Sequence, residues 1–196
     1  MRIENFIQTF PYKIILGSAS PRRQELLKSL GFAFEVKPLN VDEDHWPVEL
    51  MEEEICIYLA ERKAAAYKEL KEKELLITSD TIVWCNDKVY NKPVDFNDGV
   101  RMLTELKGKK HVVYTAVCLR SLNKTKTFFD VANVYFKDFS QDEIEYYINN
   151  YKPFDKAGAY GVQDWLGYTG IEKIEGSFYN VMGLPVKKLW DELSVF

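Results

Sequence analysis

Residues 12–39 read YKIILGSASPRRQELLKSLGFAFEVKPL, and this stretch decides the fold prediction. An apolar run at 12–16 predicts a strand that ends at Gly17. A helix is predicted to begin at Pro21, to carry leucines 26, 27 and 30 on one face, and to end at Gly31. The alternation within 32–39 predicts a second strand. This order of strand, helix and strand indicates a sheet with helices packed against it.

The remainder of the chain continues this alternation and then adds hairpin patterns. Helices are predicted at residues 49–73, 95–107, 140–150 and 184–193. A buried strand is predicted at 74–80, and segments 111–121 and 126–138 predict an antiparallel hairpin. Residues 153–183, rich in glycine and aromatic residues, are predicted to form loops and short strands. The fold class is therefore α/β, with a mixed sheet flanked by helices.

Length and charge restrict the classes of protein that this chain can represent. Its 196 residues suit one good-sized domain or two small lobes, and 46% hydrophobic residues suit a globular core. A net charge of −4 is not that of a polycation that binds nucleic acid. Local groups of arginine and lysine are therefore more informative than the overall charge.

Cysteine and histidine content and the apolar runs indicate the compartment. Three separate cysteines without a C-x-x-C pair predict reduced thiols, and two histidines disfavour a histidine-rich zinc site. No apolar run approaches the roughly 20 residues of a membrane span. The first ten residues contain Glu4 and no long apolar stretch, which is unlike a signal peptide. We expect a cytoplasmic protein without a membrane partner.

The segment SASPRRQ, residues 18–24, places cations where a helix is least suited to hold them. Ser20 is a typical N-cap before Pro21, yet Arg22 and Arg23 follow at the positive end of the helix dipole. A bound phosphate would offset this repulsion, since helix N-termini present free N–H groups and arginine binds phosphate in a bidentate manner. The alternative is a pair of exposed surface arginines.

Three further candidates carry charge near predicted elements. Lys63 lies close to the buried stripe of its helix, so it either extends outward to solvent, which is favoured for an isolated lysine, or has an anionic partner. Asp80 follows an apolar strand, where a carboxylate can hold a metal ion or orient water, although an Asp-turn is also common there. Glu43 lies in the acidic loop 42–44, which is either a source of Mg²⁺ ligands or simply solvated.

Two more candidates lie in loops. Lys92 precedes Pro93, which keeps the lysine backbone extended and can aim its side chain. Gln163 follows two glycines, and its amide can pair with the polar edge of a base. Either residue is also compatible with an ordinary turn. The fixed cations, the carboxylates and the amide together favour a nucleoside triphosphate with a divalent metal.

Seven blocks resemble the Maf family of nucleotide pyrophosphatases in order and spacing. They are SASPRRQELLKSLG, VDE, LAERKA, SDTIV, NKP, DKAGAYGVQ and IEGSFYNVMGLP. The resemblance implies one catalytic domain over 1–196 with an elongated mixed sheet and two lobes around a central cleft, similar to inosine triphosphate pyrophosphatases. It further implies release of a nucleoside monophosphate and pyrophosphate, dependence on Mg²⁺ or Mn²⁺, and a homodimer.

The resemblance also implies a substrate branch and residue roles. Pro21 and Thr81 match the branch acting on dTTP and UTP rather than the branch acting on 7-methyl-GTP, and modified pyrimidine triphosphates are further candidate substrates. The resemblance assigns base specificity to Arg22, Thr81 and Gln163. It assigns phosphate binding to Ser18, Arg23, Lys63 and Lys92. It assigns metal binding to Glu43 and Asp80, and it also assigns the catalytic role to Asp80. Asp164 and Trp165 depart from the family pattern, in which glycine commonly follows the glutamine.

Two alternatives belong to other classes. A non-catalytic nucleotide-binding regulator of cell division would use the same phosphate site without turnover. A nucleic-acid-binding module is disfavoured by the negative net charge and the confined group of cations.

Overall fold

The computed structural model describes residues 3–196 and divides them into two compact units. The first unit contains the chain up to Asp80, together with Thr115–Phe129 and Gly183–Phe196. The second unit contains Thr81–Tyr114 and Asp130–Met182. This division agrees with the two lobes expected from the sequence, whereas a cleft between them stays a prediction.

Helices and strands alternate from α1 to β3; the sequence predicts the alternation from β1 onward, whereas α1 was not predicted. The helices are α1 (Ile3–Gln8), α2 (Pro21–Ser29), α3 (Glu53–Ala66), α4 (Phe96–Leu106), α5 (Gln141–Tyr151), α6 (Trp165–Gly170), α7 (Phe178–Met182) and α8 (Val186–Val195). The strands are β1 (Lys13–Leu16), β2 (Phe34–Val36), β3 (Glu74–Cys85), β4 (Lys88–Tyr90), β5 (Lys110–Arg120), β6 (Thr125–Phe136) and β7 (Ile171–Gly176). Among residues 3–196, no helix has the length and apolar character needed to cross a membrane.

The strands form a seven-stranded mixed sheet in the order β2-β1-β3-β5-β6-β7, and β4 pairs with β3. Strand β1 is parallel to both β2 and β3, with Ile15 opposite Glu35 and Leu76. Strands β4 and β7 are antiparallel to β3 and β6 respectively. The predicted α/β class with a mixed sheet is confirmed. Strand β2 is shorter than the predicted 32–39, because it pairs only with the short β1.

Local signals account for α2 in the first unit. The side chain of Ser20 accepts a hydrogen bond from the backbone N–H of Arg23, and Pro21 opens the helix as predicted. Leu26 and Leu27 are buried against the core. Gly31 follows the helix with a φ of 86°, a conformation that suits glycine.

The predicted helix at 49–73 is wrong in its extent, since α3 spans Glu53–Ala66. Glu52 has a φ of 50°, which is not helical, and Tyr67 is extended. At the helix end, Arg120 Nη1 donates hydrogen bonds to the carbonyl oxygens of Ala64, at 2.5 Å, and Tyr67, at 3.1 Å. A donor from a distant strand therefore satisfies one carbonyl of the last helical turn and the carbonyl of the residue that follows the helix, contacts that local periodicity does not reveal.

The second unit has its own apolar core between the sheet and helices α4 and α5. The core includes Met102, Leu103, Leu106, Val134, Phe136, Phe139, Ile144 and Ile148. The prediction of loops and short strands for 153–183 is wrong in part, because α6 and α7 lie there beside β7. A Cβ on Gly170 would lie 2.0 Å from Phe139 Cε1, so this glycine permits close packing of α6.

Candidate active site

Lys63 and Asp80 form a buried ion pair in the first unit. Helix α3 carries Lys63 and strand β3 carries Asp80, and Lys63 Nζ lies 2.6 Å from Asp80 Oδ1. The two residues are only 4% and 5% exposed. The Thr78 hydroxyl donates to the carbonyl of Ala60 at 2.7 Å and fixes the helix on the strand. Lys63 therefore has an anionic partner and does not extend to solvent, so the favoured alternative for an isolated lysine was wrong. Asp80 lies within β3, not at its end.

Glu43 adds a second carboxylate to the same ammonium group. Its segment follows β2, and Glu43 Oε1 lies 2.8 Å from Lys63 Nζ. The Glu43 side chain is 33% exposed, whereas that of Lys63 is 5% exposed. One ammonium therefore lies between a buried carboxylate and a partly exposed one, and the acidic loop is not merely solvated.

Arg23 is held at the first turn of α2 by two contacts. Its Nε donates a hydrogen bond of 2.8 Å to the carbonyl of Gly183, and its Nη1 lies 3.4 Å from Ser18 Oγ. Ser18 Oγ also accepts a hydrogen bond of 3.2 Å from the backbone N–H of Ser20. Ser18 and Arg23 are thus joined at the end of the helix, which fixes the guanidinium group instead of leaving it mobile in solvent.

The charges of this cluster act on one another. Desolvation raises the pKa of Asp80 above its ordinary value, whereas Lys63 and Arg23 oppose that rise and Glu43 adds to it. Desolvation lowers the pKa of Arg23, while Asp80 and Glu43 oppose that change and Arg22 reinforces it. We therefore describe Ser18, Arg23, Glu43, Lys63 and Asp80 as the charged cluster of the first unit.

The remaining predicted site residues are placed as follows. Arg22 is half-buried in the first turn of α2. Thr81, Lys92 and Gln163 belong to the second unit, where Thr81 is half-buried in β3 and Lys92 is exposed after β4. Gln163 is half-buried before α6, and its Oε1 is buried without a hydrogen-bond partner among the residues that the structure describes.

Comparison with known protein families shows which family the chain belongs to. The model of the family described as Maf-like protein matches residues 13–196. The chain belongs to this family. A curated relative from Phocaeicola vulgatus, named dTTP/UTP pyrophosphatase, is 50% identical over 183 residues, covering 93% of this chain and 95% of the relative. Relatives with the same name from Bacteroides fragilis and Flavobacterium johnsoniae are 49% and 48% identical, each covering 93% of this chain and 95% and 94% of their own lengths.

A solved structure is also similar to this Maf-like protein. It is that of the Staphylococcus aureus Ham1 protein, with a TM-score of 0.49 and 16% sequence identity, covering 92% of this chain and 99% of that chain.

The sequence analysis missed Ser79 and Gly183, two residues that support the charged cluster of this Maf-like protein. The Ser79 hydroxyl donates to the carbonyl of Gly183 at 3.3 Å, the same oxygen that accepts from Arg23. The carbonyl of Ser79 lies 3.4 Å from Lys63 Nζ. Both residues occur in matching blocks, SDTIV and IEGSFYNVMGLP, but the sequence gives no sign that their carbonyls hold the cations.

The departure from the family pattern at Asp164 has a local function in the second unit. The hydroxyl of Tyr147 donates to Asp164 Oδ2 at 2.9 Å and accepts from the backbone N–H of Gly161 at 3.0 Å. One buried tyrosine thereby fixes both sides of the segment that carries Gln163. Trp165 packs edge to face on Tyr146, with ring centroids 5.0 Å apart.

The donor set of this Maf-like protein suits a hard divalent cation. No group of three or more histidine, cysteine, aspartate or glutamate side chains is arranged for a metal within residues 3–196. Mg²⁺, however, is commonly held by one or two protein carboxylates together with phosphate oxygens of the substrate. Asp80 and Glu43 bring two carboxylates together at Lys63 Nζ, which matches this number of protein ligands.

Proposed function

We propose that this Maf-like protein is a nucleoside triphosphate pyrophosphatase that hydrolyses dTTP and UTP, with modified pyrimidine triphosphates as further candidate substrates. The observation that carries the proposal is the buried Lys63–Asp80 pair, with Glu43 in contact with Lys63 and with the charge of Arg23 acting on Asp80. The names of relatives at 45–50% identity support the substrate choice. A site with two carboxylates and two fixed cations is suited to a triphosphate and a water molecule.

The proposed chemistry is attack of water on the α-phosphorus. Asp80 orients this water and accepts its proton, a new P–O bond forms, and the bond between the α-phosphorus and the bridging oxygen breaks. Pyrophosphate leaves with the bonding electron pair, and the nucleoside monophosphate remains. Arg23 and Lys63, with Ser18 and Lys92, bind the phosphate oxygens and stabilise the charge that moves onto the leaving group. Because contacts with Gly183 and Ser18 fix Arg23 in place, little reorganisation of this cation is needed.

The proposed cofactor is Mg²⁺ or Mn²⁺, held by Asp80 and Glu43. When bound, such an ion neutralises phosphate charge and increases the acidity of a coordinated water. The chain contributes the two carboxylates, and Lys63 and Arg23 oppose the rise in the pKa of Asp80 that desolvation causes.

Base selection is proposed to depend on Arg22, Thr81 and Gln163. Thymine and uracil present two carbonyl oxygens and one N3–H, and a glutamine amide can both donate and accept. The buried Oε1 of Gln163, which has no partner among the described residues, is an acceptor suited to N3–H. The contacts of Tyr147 hold the neighbouring backbone and restrict where this amide can lie.

We further propose that residues 1–196 act as one catalytic domain in a cytoplasmic homodimer, without stable nucleic-acid or membrane partners. The buried, unbridged thiols of Cys56, Cys85 and Cys118 support a reducing compartment. Light scattering of the purified protein tests the dimer directly.

Pyrophosphate release is the test of the proposed activity. The panel contains dTTP, UTP, CTP, the purine nucleotides and 7-methyl-GTP, each with Mg²⁺ and with Mn²⁺. The Asp80→Asn variant is expected to fold and to lose turnover by about 10²–10⁴-fold, the scale of a positioned proton-transfer group. Asp191→Asn, an exposed substitution on α8, is the matched control and should keep full turnover. Nucleotide binding without any pyrophosphate release by the intact protein would instead support the non-catalytic regulator.

A further inference from the structure

Charge balance in the cluster of the first unit determines which form of the ligand it can accept. Lys63 and Arg23 contribute two positive charges, and Asp80 and Glu43 contribute two negative charges. The nearby Arg22 adds a further positive charge at the half-buried helix end. The carboxylates are therefore already neutralised by the chain itself before any ligand arrives.

Lys63 occupies the position at which both carboxylates meet a cation. Its Nζ lies 2.6 Å from Asp80 and 2.8 Å from Glu43, distances of charge-assisted hydrogen bonds. A bare divalent cation at these carboxylates would add two charges to a partly buried group that is already neutral or positive, and such uncompensated charge is costly. A free triphosphate would leave its own excess of negative charge. With Arg22 included, the cluster carries one net positive charge, so the metal–nucleotide complex, whose net charge is negative, leaves the smallest imbalance of the three.

We infer that Lys63 makes the site select the preformed metal–nucleotide complex and excludes the free metal ion. This inference rests on the proposed function and adds an order of events to it. On arrival of the complex, the Lys63 ammonium exchanges carboxylate contacts for phosphate oxygens, and the two carboxylates become available to the metal. The same lysine thus serves as the counter-ion of the ligand-free site and as a phosphate ligand in the complex.

The exclusion of free metal is tested by measuring Mn²⁺ binding to the intact protein without nucleotide. The concentration of free Mn²⁺ is measured by electron paramagnetic resonance. The Lys63→Gln variant is expected to bind Mn²⁺ at least about tenfold more tightly than the wild type, the effect of removing one neighbouring positive charge. Lys63→Arg keeps the charge and should bind like the wild type. Lys188→Gln is the matched control, because Lys188 is a half-buried lysine of the same unit whose Nζ donates to the carbonyl of Phe129.

A second arm uses the wild-type protein with a UTP analogue that carries a methylene group between the α- and β-phosphorus. After subtraction of the Mn²⁺ that the analogue binds in a protein-free titration, the affinity of the protein for Mn²⁺ should be at least about tenfold higher when this analogue is present. Unchanged Mn²⁺ affinity in a folded Lys63→Gln variant overturns the inference. So does equal Mn²⁺ affinity of the wild type with and without the analogue, a result that does not depend on any variant folding. A wild type that releases no pyrophosphate from any nucleotide would instead overturn the proposed function.

Discussion

Replacement of His111 should change how stability depends on pH. His111 lies on β5 in the second unit and is fully buried. Its Nε2 lies 2.7 Å from the hydroxyl of Tyr160, and its ring packs against Phe136 with centroids 4.6 Å apart. Nδ1 has no hydrogen-bond partner within residues 3–196. A protonated imidazole would therefore be poorly compensated, and desolvation lowers the pKa of His111 to about 3.

The size of the effect follows from the difference between the folded and unfolded pKa. An unfolded histidine titrates near 6.5. Because the folded pKa lies far below this value, His111 adds stability at neutral pH that is lost as the pH falls from about 6.5 toward 3. Within that window, each pH unit costs about 1.4 kcal/mol. Between pH 7.5 and pH 5.0 the histidine should therefore lower the free energy of unfolding by about 2 kcal/mol.

Urea unfolding at pH 7.5 and pH 5.0, followed by tryptophan fluorescence, measures this difference. His111→Gln should lose stability at pH 7.5 but should lose about 2 kcal/mol less than the wild type on acidification. The comparison between the two pH values cancels the packing cost of the substitution. His45→Gln is the matched control, since the side chain of His45 is 84% exposed. A wild type and a His111→Gln variant with parallel pH dependence would refute the account of a buried neutral imidazole.

Three further substitutions test the site and its supports. Ser79→Ala removes the hydroxyl that donates to the carbonyl of Gly183, so KM for UTP should rise about 2–10-fold with kcat less affected in steady-state assays; an unchanged KM would argue against this support. Arg120→Met removes the donor to the carbonyls of Ala64 and Tyr67, and urea unfolding should show a loss of about 1–3 kcal/mol; full stability would contradict that role. Gln163→Ala should reduce the preference for dTTP and UTP by about 1–3 kcal/mol in a nucleotide panel; an unchanged ranking would exclude base selection by this amide.

The predicted helix ends agree with the structure where the residues that start or stop the helix are close to it in sequence. Helix α2 follows its Ser20 cap, its first-turn Pro21 and its terminal Gly31, all within twelve residues of sequence. The helix predicted at 140–150 likewise matches α5, which begins with a capping box between Ser140 and Glu143. These signals are local, so they can be read from the sequence without knowledge of any tertiary contact.

Helix α6 shows why other elements could not be predicted. Gly167 and Gly170 lower helix propensity and led to a loop prediction for this region. In the structure, a Cβ on Gly167 would lie 2.0 Å from the carbonyl oxygen of Val162, and one on Gly170 would meet the ring of Phe139. The glycines are required by close packing, so tertiary contact outweighs their low propensity.

The pairing of Lys63 with Asp80 depends on how helix α3 is aligned with strand β3, and neither segment alone reveals this alignment. Side chains two apart on a strand point to the same face, so Thr78 and Asp80 both face α3. The hydroxyl of Thr78 binds the carbonyl of Ala60, and Asp80 binds Lys63, three residues further along the helix. Two strand residues advance nearly 7 Å, whereas three helix residues advance about 4.5 Å, and the long lysine side chain spans the difference. A shift of one residue in either element would turn Asp80 away from Lys63. The sequence supplies both groups, but the register between helix and strand makes them an ion pair.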